Sequence, residues 1–200
     1  MTAFDQFDHD AGQQVYRFSL GEMANRDMYR YVQEQKLDLD GNIPSKYMEI
    51  IYDCIIQVAQ GMEFAHAHGL VHGDFGLHNV CVVQDGVTPV YKINNFTPGT
   101  SLKQPDSRDA RYWPFCKGRV NETIEDKIEI MKLKDIYSIG ICLLELMIGR
   151  TSSQNVSITL DCLPLTWGEY PEASPLIKVL FDCIQLSAIS QPDGILQEIR

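Results

Sequence analysis

The chain carries, about a third of the way along, the stretch Val71-His-Gly-Asp-Phe-Gly-Leu-His-Asn-Val80, in which an asparagine follows an aspartate by five residues. Before this stretch, from Ser45 to about His68, apolar residues recur at the period of a helix that buries one face. After it, the β-rich runs from Val80 to Val83 and from Val90 to Ile93 predict two paired strands. The quoted stretch is therefore predicted to be a loop between a long helix and a small sheet.

A second informative stretch is Asp135-Ile-Tyr-Ser-Ile-Gly-Ile-Cys-Leu-Leu-Glu-Leu-Met-Ile-Gly149. Its residues from Ile136 to Ile148 are apolar nearly all round, which predicts a helix buried on every side. A last amphipathic helix is predicted from about Pro175 to Leu186.

The remaining segments are shorter or less regular. Thr2 to Phe7 and Val15 to Leu20, separated by Asp8-His-Asp-Ala-Gly, predict a small hairpin, and Met23 to Val32 predicts a short helix. Residues 95–120 have no clear period and contain several prolines, which is typical of a long loop. The elements together predict a mainly α fold with a small β component, an α+β class.

Composition narrows the function classes. The 200 residues are 44% hydrophobic, which suffices for the core of one compact domain. There are 17 basic against 27 acidic residues, and a formal net charge of -10 repels nucleic acid and anionic membrane surfaces. The six cysteines are widely spaced and form no CxxC pair, and no signal segment or membrane span is recognised. We expect a cytoplasmic protein with reduced cysteines.

The stretch from Val71 to Val80 has the form HxDxxxxN and resembles the catalytic loop of protein kinases. The resemblance implies that Asp74 is the base that accepts the substrate hydroxyl proton and that Asn79 is a ligand of Mg²⁺. The stretch from Asp135 to Gly149 is similar to the buried central helix of that family, DxWSxGxxLxELxxG, with Tyr137 in place of tryptophan.

The resemblance continues in unbroken order over roughly residues 15–200. Met23-Ala-Asn-Arg-Asp-Met28 resembles the segment after the interlobe hinge, and the helix ending at His72 resembles the one that leads into the catalytic loop. It implies a single protein-kinase-like domain over residues 1–200, with residues 1–20 as a remnant of the N-lobe and residues 21–200 as the C-lobe. No GxGxxG or VAIK motif occurs in the chain.

The chain departs from the family at the metal site. At the place of the DFG motif it has Asn95-Phe-Thr97, and an amide brings no negative charge to a divalent ion. Asn79 and Asn95 are therefore predicted to be weak metal ligands, and binding of ATP and Mg²⁺ is expected to be weak or absent. Cys81 falls where a residue lies under adenine, so that Cys81 and Asn95 would contact the nucleotide. Phe96 is expected to pack beside His72, which Asp135 would link to the buried helix.

Two further departures concern charge pairs of the activation segment. Gly73 replaces the arginine that would pair with a phosphorylated loop, so this form of switching is not expected. The acidic residue of the APE motif is absent from Trp113-Pro-Phe115, and its arginine partner is replaced by Gln191. The joint loss is consistent, because either charge left buried alone would be costly.

These features predict a catalytically impaired, pseudokinase-like domain that acts by binding a protein partner, with self-association possible through the exposed lobe interface. One alternative is an active ATP-dependent kinase, in which the chain is a fragment and Asp74 is the base for Ser/Thr or Tyr hydroxyls. Another is a small-molecule phosphotransferase, since the loop also resembles that of aminoglycoside and choline phosphotransferases. Zinc is not predicted, because no cysteine or carboxylate completes a four-ligand spacing with His66, His68, His72 and His78.

Overall fold

The computed structural model describes residues 5–11, 14–20, 24, 26–34, 45–83, 88–96, 124–149, 163, 167 and 171–184. The predicted long loop from residue 97 onwards, the segment Trp113–Phe115 and Gln191 lie outside these described residues. None of the helices in the described ranges combines the length and the apolar character that a membrane crossing needs.

Four helices form most of the described structure: α1 (Met28–Glu34), α2 (Ser45–Ala67), α3 (Ile124–Ile148) and α4 (Ser174–Ile184). The predicted long helix is confirmed, and its residues Ile51, Ile55, Val58 and Met62 are buried along one face. The predicted burial of the second half of α3 is also confirmed, because every residue from 138 to 147 is buried.

Contacts between α2, α3 and α4 build the hydrophobic core. Two hydrogen bonds to α3 fix its carboxyl-terminal end: the Tyr47 hydroxyl donates to the carbonyl oxygen of Leu146, and Trp167 Nε1 donates to that of Met147 over 2.8 Å. Both donors are buried, so the last turn of α3 has partners for carbonyls that no helical N–H reaches.

The strands form two small antiparallel sheets. β1 (Asp5–Ala11) and β2 (Gln14–Leu20) make a hairpin, and β3 (Arg26–Asp27), β4 (Val80–Val83) and β5 (Val90–Ile93) make a sheet in that order. The predicted bounds of β4 and β5 are confirmed, with Val80 opposite Ile93. The described chain is thus mainly helical with a small β component, as predicted.

The predicted hairpin is confirmed, but its bounds were wrong. Asp8–Ala11, predicted as the turn, continues β1, and the register pairs Ala11 with Gln14. Only two residues then separate the strands, which is a common length for a hairpin connection. The polar segment Asp8–Ala11 can belong to the strand because its backbone N–H and C=O groups pair with those of β2.

Two helix starts were also wrong. The predicted helix over Met23–Val32 begins only at Met28, because Arg26 and Asp27 pair with Val82 and Cys81 of β4. Asp27 Oδ1 then accepts the N–H of Arg30 over 2.7 Å, which caps α1. Helix α3 starts at Ile124, twelve residues before the predicted Ile136. The additional residues contain no glycine or proline and can therefore be helical, but they are too polar to continue the apolar stretch on which the prediction was based.

Candidate functional site

Asp135, on the buried part of α3, joins three segments of the chain. Its Oδ1 accepts the main-chain N–H of Gly73 over 2.8 Å, and its Oδ2 accepts that of His72 over 2.7 Å. Its Oδ2 also lies 3.1 Å from Nε2 of His66, a residue of α2. The Asp135 side chain is fully buried, so these donors replace the water that a carboxylate would otherwise bind. The predicted loop is thereby held against both long helices.

Two consecutive residues of α3 form hydrogen bonds with the main-chain N–H and the carbonyl oxygen of Gly73. Asp135 accepts its N–H, and Lys134 Nζ donates to its carbonyl oxygen. Gly73 has a φ of 79°, a left-handed conformation that a glycine adopts without strain. Lys134 is buried, with 7% of its surface exposed. The peptide that joins Gly73 to Asp74 therefore has a fixed orientation.

His72 packs at the centre of the loop between two aromatic rings. Its ring centroid lies 5.5 Å from that of Phe75 and 5.0 Å from that of Phe96. Its Nε2 faces the carbonyl oxygen of Asn94 at 2.8 Å and must donate to it, while Nδ1 accepts the N–H of Asp74 over 3.3 Å. These two bonds select the neutral ring with its hydrogen on Nε2.

Burial lowers the pKa of His72 below its ordinary value of 6.5, although the nearby Asp135 carboxylate acts in the opposite direction. The unfolded chain therefore takes up a proton at His72 at a higher pH than the folded chain does. We expect stability to fall as the pH drops from 6.5 towards the folded-state pKa, with a slope of at most about 1.4 kcal/mol per pH unit from this residue.

Measurement of the His72 ring signals by NMR during a pH titration checks this expectation. A midpoint for His72 equal to or above the ordinary value of 6.5 would contradict the expected direction. Urea unfolding of wild type and of a His72→Gln variant at pH 7.5 and 5.5 then shows whether the loss of stability on acidification depends on His72.

Asn79 is held by its main chain and by its side chain. Its N–H donates to the carbonyl oxygen of Gly76, and its own carbonyl oxygen accepts the N–H of Asn94, both over 2.9 Å. Its side-chain Nδ2 donates to the carbonyl oxygen of Asp74 over 2.8 Å, and its Oδ1 accepts from Nδ2 of Asn95 over 2.9 Å. Only 3% of Asn79 is exposed.

Asn95 and Asp74 are the exposed members of the site. Asn95 has a φ of 59°, a left-handed conformation that asparagine tolerates better than most residues. The structure therefore brings together Asp74, Asn79, Asn95, His72, Phe96 and Asp135, all of them proposed from sequence. The Asp74 carboxylate faces solvent, while the amide groups of Asn79 and Asn95 contact each other.

Cys81 lies in β4, opposite Lys92 in the register with β5 and opposite Asp27 in β3. Its side chain is partly buried, and burial raises the pKa of its thiol. The thiol is thus neutral at pH 7, and Cys81 contributes a small, weakly polar surface beside the loop.

The side chains of Asn79 and Asn95 do not present a pair of oxygens to a divalent ion in this arrangement. The Asn79 oxygen already accepts a hydrogen bond, and Asn95 turns its NH₂ group towards that oxygen. Among the described residues, no group of three or more histidine, cysteine, aspartate or glutamate side chains could hold a metal. His66 and His72 are instead bonded to Asp135 and to the Asn94 carbonyl.

Three residues of this network were not identified from the sequence as parts of the site: His66, Lys134 and Asn94. His66 precedes His72 by six residues near the end of α2, and Lys134 is adjacent to Asp135. The sequence offered one signal for each of these two residues. His66 is a polar residue on the buried face of a predicted helix, and Lys134 is next to a predicted buried carboxylate. Asn94 acts through its main chain, which the sequence does not reveal.

Comparisons with known proteins identify the family of the chain. The family model described as "Protein tyrosine and serine/threonine kinase" matches residues 19–172. A Wee1-like protein kinase of Oryza sativa subsp. japonica is 29% identical over 153 residues, which cover 73% of this chain and 27% of the relative. The serine/threonine-protein kinase PLK4 of Drosophila grimshawi is 28% identical over 175 residues, which cover 85% of this chain and 21% of the relative.

The chain spans about a quarter of the length of these relatives. The family match nevertheless extends over more than half of the chain, and it contains both the loop from Val71 to Val80 and the helix that carries Asp135. The chain belongs to the protein tyrosine and serine/threonine kinase family.

Proposed function

We propose that this protein kinase domain is impaired in phosphotransfer and acts by binding other proteins. The observation that carries the proposal is the hydrogen bond from Asn95 Nδ2 to Asn79 Oδ1. Phosphotransfer in this family needs a divalent ion that bridges the phosphates of ATP, held by an aspartate and an asparagine. Here the position of the aspartate is an amide that donates a hydrogen to the other expected ligand.

Charge supports the same proposal. A carboxylate at position 95 would offset part of the charge of the divalent ion, whereas two neutral amides offset none of it. Asp74 is the carboxylate that the loop itself contributes, and in this family its position serves the attacking hydroxyl. Binding of ATP with Mg²⁺ is therefore expected to be weak or absent.

An active kinase that phosphorylates protein hydroxyls is the second candidate. Its support is the position of Asp74, whose carboxylate is exposed while its main chain is fixed through His72 and Asn79. A base that is pre-oriented in this way would serve catalysis if a nucleotide were bound next to it.

A phosphotransfer assay separates the two candidates. The purified protein is incubated with γ-labelled ATP, Mg²⁺ or Mn²⁺ and a generic protein substrate, beside an Asp74→Asn variant. We expect wild type and Asp74→Asn to incorporate the same background label. Incorporation that is at least about a hundredfold higher in wild type than in Asp74→Asn, the lower end of a lost acid–base contribution, would refute the proposal and establish the active kinase.

A further inference from the structure

We infer that the hydrogen bond between the Asn79 and Asn95 side chains takes the place of a divalent ion, so that the folded loop is complete without metal. The inference deepens the proposed function and rests on it, because it names the residue, Asn95, that makes the site independent of metal. The effect of divalent ions on stability can be measured whether or not the protein has catalytic activity.

The direction of the Asn79 amide is determined by its surroundings. Its Nδ2 is 2.8 Å from the carbonyl oxygen of Asp74, which can only accept a hydrogen bond. The Asn79 oxygen must therefore point to the other side, where Asn95 lies. The main chain of Asn79 is bonded at both its N–H and its carbonyl oxygen, so the residue cannot turn without breaking several bonds.

The direction of the Asn95 amide follows from that of Asn79. An oxygen that accepts requires a donor, so Asn95 must present its NH₂ group, as the 2.9 Å contact does. If Asn95 turned its oxygen inward to ligate a metal, the hydrogen bond would be lost and two oxygens would face each other. A carboxylate at position 95 has no donor, so it would meet the Asn79 oxygen with repulsion unless a cation lay between them.

The bond also connects segments that a metal would otherwise connect. Asn79 directly precedes β4, and Asn95 lies two residues after the end of β5. The adjacent Asn94 donates its main-chain N–H to Asn79 and accepts from His72 through its carbonyl oxygen. The end of the sheet is thus bonded to the loop through protein groups alone.

Thermal unfolding of wild type and of Asn95→Asp, each in EDTA and in millimolar MgCl₂ or MnCl₂, tests the inference. We expect the wild-type Tm to be the same in all three solutions. In EDTA, Asn95→Asp should unfold about 3–6 °C below wild type, because it loses one bond and gains a repulsion. Divalent ions should restore a large part of that difference.

Asn94→Asp is the matched control, because it adds the same charge one position away and keeps the two amides of the pair. It should show no stabilisation by divalent ions. If divalent ions do not raise the Tm of Asn95→Asp either, the inference is wrong. It is also wrong if Mg²⁺ raises the Tm of wild type but not that of Asn95→Ala.

A second measurement on wild type keeps the test decisive if Asn95→Asp does not fold. Mn²⁺ broadens NMR signals of groups close to it, so titration of Mn²⁺ should leave the side-chain NH₂ signals of Asn79 and Asn95 unchanged. Selective broadening of both signals that persists in an Asp74→Asn variant would show that the ion binds at the two amides and would overturn the inference.

The outcomes are separable from those of the proposed function. If divalent ions do not change the wild-type Tm but wild type transfers phosphate and Asp74→Asn does not, the proposed function is refuted and the inference about the amide pair stands. A wild type that binds Mn²⁺ between the amides without transferring phosphate would refute the inference and leave the impaired phosphotransfer intact.

Discussion

Replacing Asp135 by alanine is expected to lower the free energy of unfolding by about 4 kcal/mol, the size found when one partner of a buried charged network is removed. The substitution leaves the main-chain N–H groups of His72 and Gly73 without their acceptor in a fully buried place. It also removes the partner of His66 Nε2. Urea unfolding, followed by circular dichroism, measures the change through the shift of the midpoint.

Two variants control this measurement. Asp135→Asn keeps one accepting oxygen and is expected to lose about half as much, roughly 2 kcal/mol. Glu129 lies on the same helix and pairs with Lys132 over 3.0 Å, and 55% of the Glu129 side chain is accessible, so Glu129→Gln changes an exposed charge. Its expected change is below about 0.5 kcal/mol. If Asp135→Ala and Glu129→Gln lower the free energy of unfolding equally, the hydrogen bonds of the Asp135 carboxylate do not stabilise the fold as expected.

Gly140→Ala is expected to destabilise the protein by about 2 kcal/mol, because it overfills the contact between α3 and α4. A methyl group at Gly140 would lie 2.7 Å from Cβ of Cys183 and 3.1 Å from Cγ1 of Ile184. The nearest atom is attached directly to the backbone of α4, so the helix itself must move. Thermal or urea unfolding measures the loss.

Gly61→Ala is the matched control, since Gly61 is also in the interior of a helix, α2. The nearest atom to an added methyl group there is Cδ1 of Ile93 at 3.3 Å, the far end of a flexible side chain. This side chain can shift, so the higher helix propensity of alanine should dominate and raise stability by up to about 1 kcal/mol. Changes of the same sign and size in both variants would show that helix propensity, and not the contact with Cys183, decides the effect at Gly140.

The sequence by itself determined the elements whose signal is local. The period of apolar residues in α2 and the two short β-rich runs of β4 and β5 gave nearly the observed bounds. Burial of one face repeats with the geometry of the element, so it is visible in the order of the residues. The positions of Asp74, Asn79 and Asp135 were likewise available from motifs, because the spacing of residues in a motif is a property of the chain.

The tertiary structure decided what depends on partners far away in the chain. Arg26 and Asp27 form a strand only because β4 lies beside them, and α1 consequently starts later than its composition suggests. The contacts of His66 and Lys134 with Asp135 and Gly73 join residues that are 69 and 61 positions apart.

The amide pair of the site is the clearest case of this division. The sequence placed Asn79 and Asn95 at the metal position and presented both as oxygen ligands. The structure gives one of them the role of donor, because the carbonyl oxygen of Asp74 fixes the Asn79 amide and Asn79 in turn fixes that of Asn95. An asparagine side chain carries both a donor and an acceptor, and only its neighbours in space determine which of the two a given partner meets.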